Sequence, residues 1–140
     1  MAEPFTRSFE ATSEHIDQLG HVNNAVWVQW MEEVSVAHWE AVAPPEHQAA
    51  YVWVVTRHEI DYRGNIREGE RVTATTWIPD PPKRATFDRC VAFRREGDEE
   101  TGKVLVRART TWAVIEVASG RLVRIPKDVA APFWNGSPTS

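Results

Sequence analysis

One helix-period pattern stands in a chain that otherwise alternates, and it restricts the possible folds more than any other feature. Val26, Trp27, Trp30, Met31, Val34, His38 and Ala41 recur at three- and four-residue spacing. Gln29, Glu32, Glu33 and Glu40 fall largely on other faces, so the stretch predicts a long amphipathic helix. Its start falls at Asn23 or Asn24, because an asparagine side chain accepts from a free first-turn N–H. Its end falls at Pro44-Pro45, where the N–H is missing and the preceding residue is held extended. One helix cannot make a bundle, but it can cover one face of a sheet.

The strands supply that sheet. Phe5 to Thr12 alternates, with Phe5, Arg7, Phe9 and Ala11 on one face. From Tyr51 to Tyr62 an unbroken alternation puts Val52, Val54, Thr56, His58 and Ile60 opposite Trp53, Val55, Arg57, Glu59 and Asp61. Further strands are predicted at Arg71 to Ile78, Arg84 to Arg95 and Val104 to Val117. They are separated by Gly64-Asn65, Pro79-Asp80-Pro81-Pro82 and Gly97 to Gly102, and Ser119-Gly120 closes the last. Short turns between consecutive strands imply an antiparallel sheet. The expectation is an α+β fold with five antiparallel strands and one long helix. A single domain is expected over 1–131, followed by a loose tail at 132–140.

Composition excludes several classes of function. A net charge of −4 argues against a nucleic-acid partner. The single Cys90 rules out an internal disulfide, and the histidines lack zinc-site spacing, so no metal or cofactor is expected. The N-terminus has no apolar signal segment and no run is long enough to span a membrane. These features fit a cytoplasmic protein.

Polar chemistry concentrates just ahead of the helix, in His15-Ile16-Asp17-Gln18-Leu19-Gly20-His21-Val22-Asn23-Asn24. Asp17-Gln18-Leu19-Gly20-His21-Val22-Asn23-Asn24-Ala25-Val26-Trp27, followed by Trp30-Met31-Glu32-Glu33, resembles the signature of hotdog-fold acyl-CoA thioesterases of the 4-hydroxybenzoyl-CoA thioesterase type. Glu59-Ile60-Asp61-Tyr62 with Gly69-Glu70 is similar to their second strand and turn, and Arg121 to Pro126 to their closing segment. The resemblance implies a five-stranded sheet wrapped around the helix. It also implies a homodimer with a continuous sheet, often paired again into a homotetramer, and active sites at the subunit interface.

The loop fits that chemistry. Thioester hydrolysis needs a nucleophile or an activated water, and a carboxylate supplies either. It also needs donors for the developing oxyanion, which free N–H groups at a helix N-terminus provide. Asp17 is therefore the catalytic candidate, as nucleophile or general base, with Gly20, His21, Val22, Asn23 and Asn24 as loop and oxyanion support. His21 stands between a base and a loop-packing residue. Some relatives carry histidine where this chain has Asn24, so a histidine-assisted route through that position does not operate here.

The implied substrate is an acyl-CoA or an acyl-carrier-protein thioester. Its anionic arm suits Lys83 and Arg84, which match a basic segment of the family, with Arg63 and Arg89 as further options that otherwise read as surface charge. Trp27, Trp30 and Trp53 are candidates for an acyl pocket, against the ordinary reading that they build the core. Glu33 and Glu59 read as solvated or paired acids, and His58 as a core or interface histidine. Two other functions share this fold: an enoyl- or hydroxyacyl-thioester hydratase or dehydratase, and a non-catalytic acyl-thioester binding module. Such hydratases place histidine five residues after the aspartate, whereas His21 lies four after Asp17.

Overall fold

The computed structural model describes residues 2–134. The strands are β1 (Phe5–Glu10), β2 (Tyr51–Tyr62), β3 (Arg71–Trp77), β4 (Thr86–Arg95), β5 (Val106–Glu116) and the two-residue β6 (Arg121–Leu122). They form one antiparallel sheet in the order β1-β3-β4-β5-β2, while β6 pairs with the end of β5. The helices are α1 (Asn24–Val42), α2 (Pro45–Ala50) and α3 (Lys127–Ala130). The five-stranded path curled around α1 is the architecture the resemblance implies. Among the described residues no helix is long and apolar enough to cross a membrane.

Asn23 caps α1: its Oδ1 accepts from the Ala25 N–H at 2.8 Å. The buried face carries Val26, Trp27, Trp30, Met31, Val34, Ser35 and His38. Ser35 lies there at no polar cost because its hydroxyl donates to the Met31 carbonyl at 2.7 Å. Ala41, placed on this face by spacing, is exposed. Phe9, Val22, Trp27, Trp30, Ile66, Val72, Val91, Phe93 and Val106 close the main core around the helix. Trp30 stacks on Phe9 at 5.3 Å, and Trp27 meets Phe93 edge-on at 5.0 Å.

The unbroken alternation expected of β2 is corrected by the structure. Its register against β5 shifts between Val55 and Arg57, so Thr56 is the extra residue of a β-bulge. Tyr51, Trp53 and Val55 point inward before the bulge, and His58 and Ile60 after it. Val52 and Val54 are thereby turned to solvent on a strand that is also a sheet edge.

A second apolar cluster forms beyond the end of α1, where Ala43, Ile78 and Phe133 are buried and Trp39, Phe87 and Trp134 pack against them. The loose tail expected from 132 therefore begins with packed residues, and its remainder, 135–140, lies outside the described residues.

Candidate active site

The polar loop is a miniature hairpin closed by the bridge between Ile16 and Val22. The Asp17 N–H donates to the His21 carbonyl at 2.9 Å, and the Gly20 N–H to the Asp17 carbonyl at 3.0 Å. The turn needs φ +77° at Gly20, a conformation that side chains disfavour. A Cβ there would also stand 3.2 Å from the Arg67 guanidinium.

Asp17 is half-buried, and its two oxygens are used differently. Oδ1 accepts from the backbone N–H of Leu19 at 2.9 Å and of His21 at 3.3 Å. Oδ2 has no hydrogen-bond partner among the described residues. One oxygen orients the carboxylate while the other is left for a ligand or a water.

Val22 anchors the loop. Asn65 accepts from its N–H at 3.1 Å and donates to its carbonyl at 3.1 Å, while the Asn65 Oδ1 also accepts from the Ile66 N–H. The sequence reads Asn65 only as a turn residue, because nothing local reveals a partner 43 positions away. The Asn23 N–H donates to the His15 carbonyl at 3.0 Å. His15 in turn accepts the Thr12 N–H at Nδ1 and sets its ring edge against Trp30.

The helix end offers fewer free donors than the sequence suggests. The Ala25 N–H goes to the Asn23 side chain and the Val26 N–H to the Asn23 carbonyl. Of these first three positions, only the Asn24 N–H lacks an acceptor among the described residues. Tyr62, at the end of β2, donates its hydroxyl to the Asn24 carbonyl at 3.3 Å. Burial pushes its phenol above the ordinary value, so it remains a donor across neutral pH. The ring of His21 is half-buried and has no hydrogen bond to Asp17. The loop therefore brings together Asp17, Gly20, His21, Val22, Asn23 and Asn24. Tyr62 and Arg67, which sequence reasoning did not single out, stand beside them.

Other sequence candidates lie elsewhere. Lys83 and Arg84 are exposed in the β3–β4 turn, where Lys83 and Thr86 exchange backbone hydrogen bonds. That turn follows Trp77, whereas the Asp17 loop is tied to the segment before Arg71. The seven residues of β3 separate the two by roughly 20 Å within one chain. Trp27 and Trp30 are core residues at 0% and 3% exposure. Trp53 instead faces a cavity of about 320 Å³ beyond the C-terminal half of α1. Glu59 pairs with Arg57, Arg63 with Asp61, and Glu33 is exposed. His58 lies 3.8 Å from Glu32. Arg89 is not the surface charge that its residue type suggests, being only 3% exposed.

Comparison with known proteins is consistent with this geometry. A family model described as the thioesterase-like superfamily matches residues 11–133. The chain is 29% identical over 79 residues to the chloroplastic acyl-[acyl-carrier-protein] hydrolase FATB3 of Cuphea viscosissima, a match covering 56% of this chain and 18% of that protein. It is 29% identical over 92 residues to the chloroplastic palmitoyl-acyl carrier protein thioesterase of Gossypium hirsutum, covering 61% and 21%. The chain thus spans about a fifth of those relatives. Among solved structures, the hypothetical protein SAV2348 of Staphylococcus aureus, in complex with CoA, superposes with a TM-score of 0.81 at 18% identity, over 100% of this chain and 89% of that one. Slr0204 of Synechocystis, a 1,4-dihydroxy-2-naphthoyl-CoA thioesterase, gives 0.75 at 15% identity, over 94% and 96%. At these identities the structural likeness establishes a shared fold.

Proposed function

This chain belongs to the thioesterase-like superfamily, and from that premise we propose that it hydrolyses an acyl thioester at the Asp17 loop. The supporting observation is the asymmetric carboxylate: Oδ1 is tied to two loop N–H groups while Oδ2 is left without a protein partner. The uncommitted Asn24 N–H, at the start of α1 directly after the loop, is the donor for the developing oxyanion, with the positive end of the helix dipole behind it. Asp17 either attacks the acyl carbon, forming an anhydride that water then cleaves, or takes a proton from the attacking water. Both routes release the free acid and the thiol. The loop signature favours the 4-hydroxybenzoyl-CoA thioesterase type within the superfamily.

We propose further that the working unit is a dimer formed along β2. This strand is an edge that exposes Val52 and Val54, and edge strands carry unpaired backbone groups suited to strand addition. Antiparallel pairing of two β2 strands sets the Tyr51 end of one subunit beside the Tyr62 end of its partner. It thereby brings Lys83 and Arg84 towards the partner's loop, a meeting one chain does not allow. Arg67 is the nearer cation in the same chain.

The test is thiol release over a panel of acyl-CoA and acyl-carrier-protein substrates, which share one phosphopantetheine arm. Asp17→Asn keeps a carbonyl oxygen to accept from Leu19 and His21, so it removes the charge without removing the turn. Turnover unchanged in Asp17→Asn would take the carboxylate out of the mechanism. A single turnover in ¹⁸O-labelled water that leaves label in Asp17 establishes nucleophilic attack, with water cleaving the anhydride at the Asp17 carboxyl carbon. Light scattering on wild type and Val54→Lys tests the dimer, which is abandoned if both are monomers and both turn over.

A further inference from the structure

The cavity at the far end of α1 is lined by the rings of Trp39, Trp53, Phe87, Trp112 and Phe133, and Arg89 reaches its wall. Arg89 meets α1 at His38, fourteen residues beyond Asn24 and so roughly 21 Å along the helix axis. A carboxylate held at Arg89 is therefore not the carbonyl that Asp17 of the same chain would attack.

Arg89 is the one arginine buried in this sheet, and its polar contacts do not balance its charge. Nη1 donates to His38 Nδ1 at 2.9 Å and to the Thr76 hydroxyl at 3.0 Å. Phe87 offers a ring face 5.8 Å away. His38 is neutral, because burial and the neighbouring guanidinium lower its pKa to about 4. Nε is sealed from water and has no partner among the described residues. Three other arginines of the same sheet have carboxylate partners: Arg71 has Glu10 at 3.0 Å and Glu96 at 2.6 Å, Arg95 has Glu70 at 2.7 Å, and Arg109 has Asp80 at 2.6 Å and Asp88 at 2.7 Å. Among the described residues no carboxylate comes within 4.0 Å of Arg89.

A buried cation without a counter-charge is costly, and an anion bound beside it would relieve that cost. With both bonds made through Nη1 and Nε buried, Nη2 is the guanidinium nitrogen left for a ligand carboxylate. Glu40, also on the cavity wall, is exposed, and the amide of Gln48 is committed to the Glu40 and Ala43 carbonyls. Lys83 and Arg84 follow Pro82 of the wall in sequence and are exposed.

We propose that this cavity binds an organic carboxylate with an apolar, ring-sized body, its carboxylate paired with Arg89 and its body packed among Trp39, Trp53 and Phe87. Within one chain the site stands apart from the Asp17 loop, and the proposal holds whether or not that loop hydrolyses a thioester. Aromatic walls with few polar groups set the body's class, and the unpaired guanidinium sets the head group.

The experiment is isothermal titration calorimetry of the full chain at pH 7.5 with phenylacetate, 4-phenylbutyrate and 1-naphthylacetate, each against its primary amide. At least one acid should bind ten-fold or more tightly than its amide. Arg89→Met should erase that preference and Arg89→Lys should keep part of it. Trp53→Ala should weaken acid and amide alike, and Asp17→Asn should bind as wild type does. Equal affinities for acid and amide in wild type, or no heat from any acid up to millimolar concentration, would overturn the proposal without recourse to a variant.

Discussion

At the N-terminal end of α1 most of the backbone and side-chain polar groups around Asp17 have protein partners, and they lie near solvent. Asn65 spends both faces of its amide on Val22, Asn23 satisfies the helix start, and Asp17 ties down its own turn with one oxygen. Fourteen residues along the same helix the surroundings are aromatic, yet the guanidinium of Arg89 has no counter-charge among the described residues. The first region is organised by local hydrogen bonds and holds one reactive oxygen in place. The second is organised by packing and holds one charge out of water. Pre-organisation for chemistry and pre-organisation for recognition are thus placed on opposite ends of one rigid element.

Substitutions can break this contrast, and the largest effect belongs to the loop. Asp17→Asn should lower thioester turnover by roughly 100- to 10 000-fold, the range for loss of a positioned base or nucleophile. The far-ultraviolet spectrum and unfolding midpoint should not move. A parallel fall in stability would mean that the carboxylate serves the turn more than the reaction.

Arg89→Met should do the reverse, leaving turnover within a few-fold of wild type. Relief of an uncompensated buried charge is offset by leaving His38 Nδ1 without its donor, a term of about 1–3 kcal/mol. The net change in unfolding free energy should therefore stay within about 2 kcal/mol, measured by urea titration.

His38 gives the cavity end a pH dependence. Its folded-state pKa of about 4 lies below the ordinary histidine value of about 6.5, so the unfolded chain binds more protons between the two. Stability from this group is complete above about pH 6.5 and is lost as pH falls towards 4. His38→Gln keeps an acceptor for Arg89 and removes the titration. The gap between wild type and variant in urea midpoint should narrow or change sign from pH 7 to pH 4.5. A constant gap would show that His38 is not held neutral by its surroundings. The smallest effect is expected from Asn23→Ala, which removes the α1 cap and should cost about 1 kcal/mol by the same titration.

Local physical rules made much of this visible in the chain. A three-to-four spacing from Val26 to His38 can only bury one face if it is a helix. Asn23 before it and Pro44-Pro45 after it carry their own capping and breaking chemistry. The alternating segments made the sheet legible, and Asp17, Gly20 and the two asparagines are close enough in sequence to be read as one loop. Where a reading failed, the missing information was long-range. The bulge at Thr56 is set by pairing with β5, 55 residues away, and it moved Trp53 to the inner face. Trp27, Trp30 and Trp53 look alike as residue types, and only the covering elements send two to the core and one to a cavity.

The sequence by itself determined the order of the five long strands, the one long helix and the polar loop before it, because periodicity, caps and turns act over a few residues. The short α2, α3 and β6 were not legible in it. The tertiary structure decided that Lys83 and Arg84 stand across the sheet from Asp17, that Asn65 clamps Val22, and that Arg89 is buried beside a neutral His38. Those outcomes depend on which strand lies next to which and on what covers each face, and a side chain's spacing along its own strand carries no record of either.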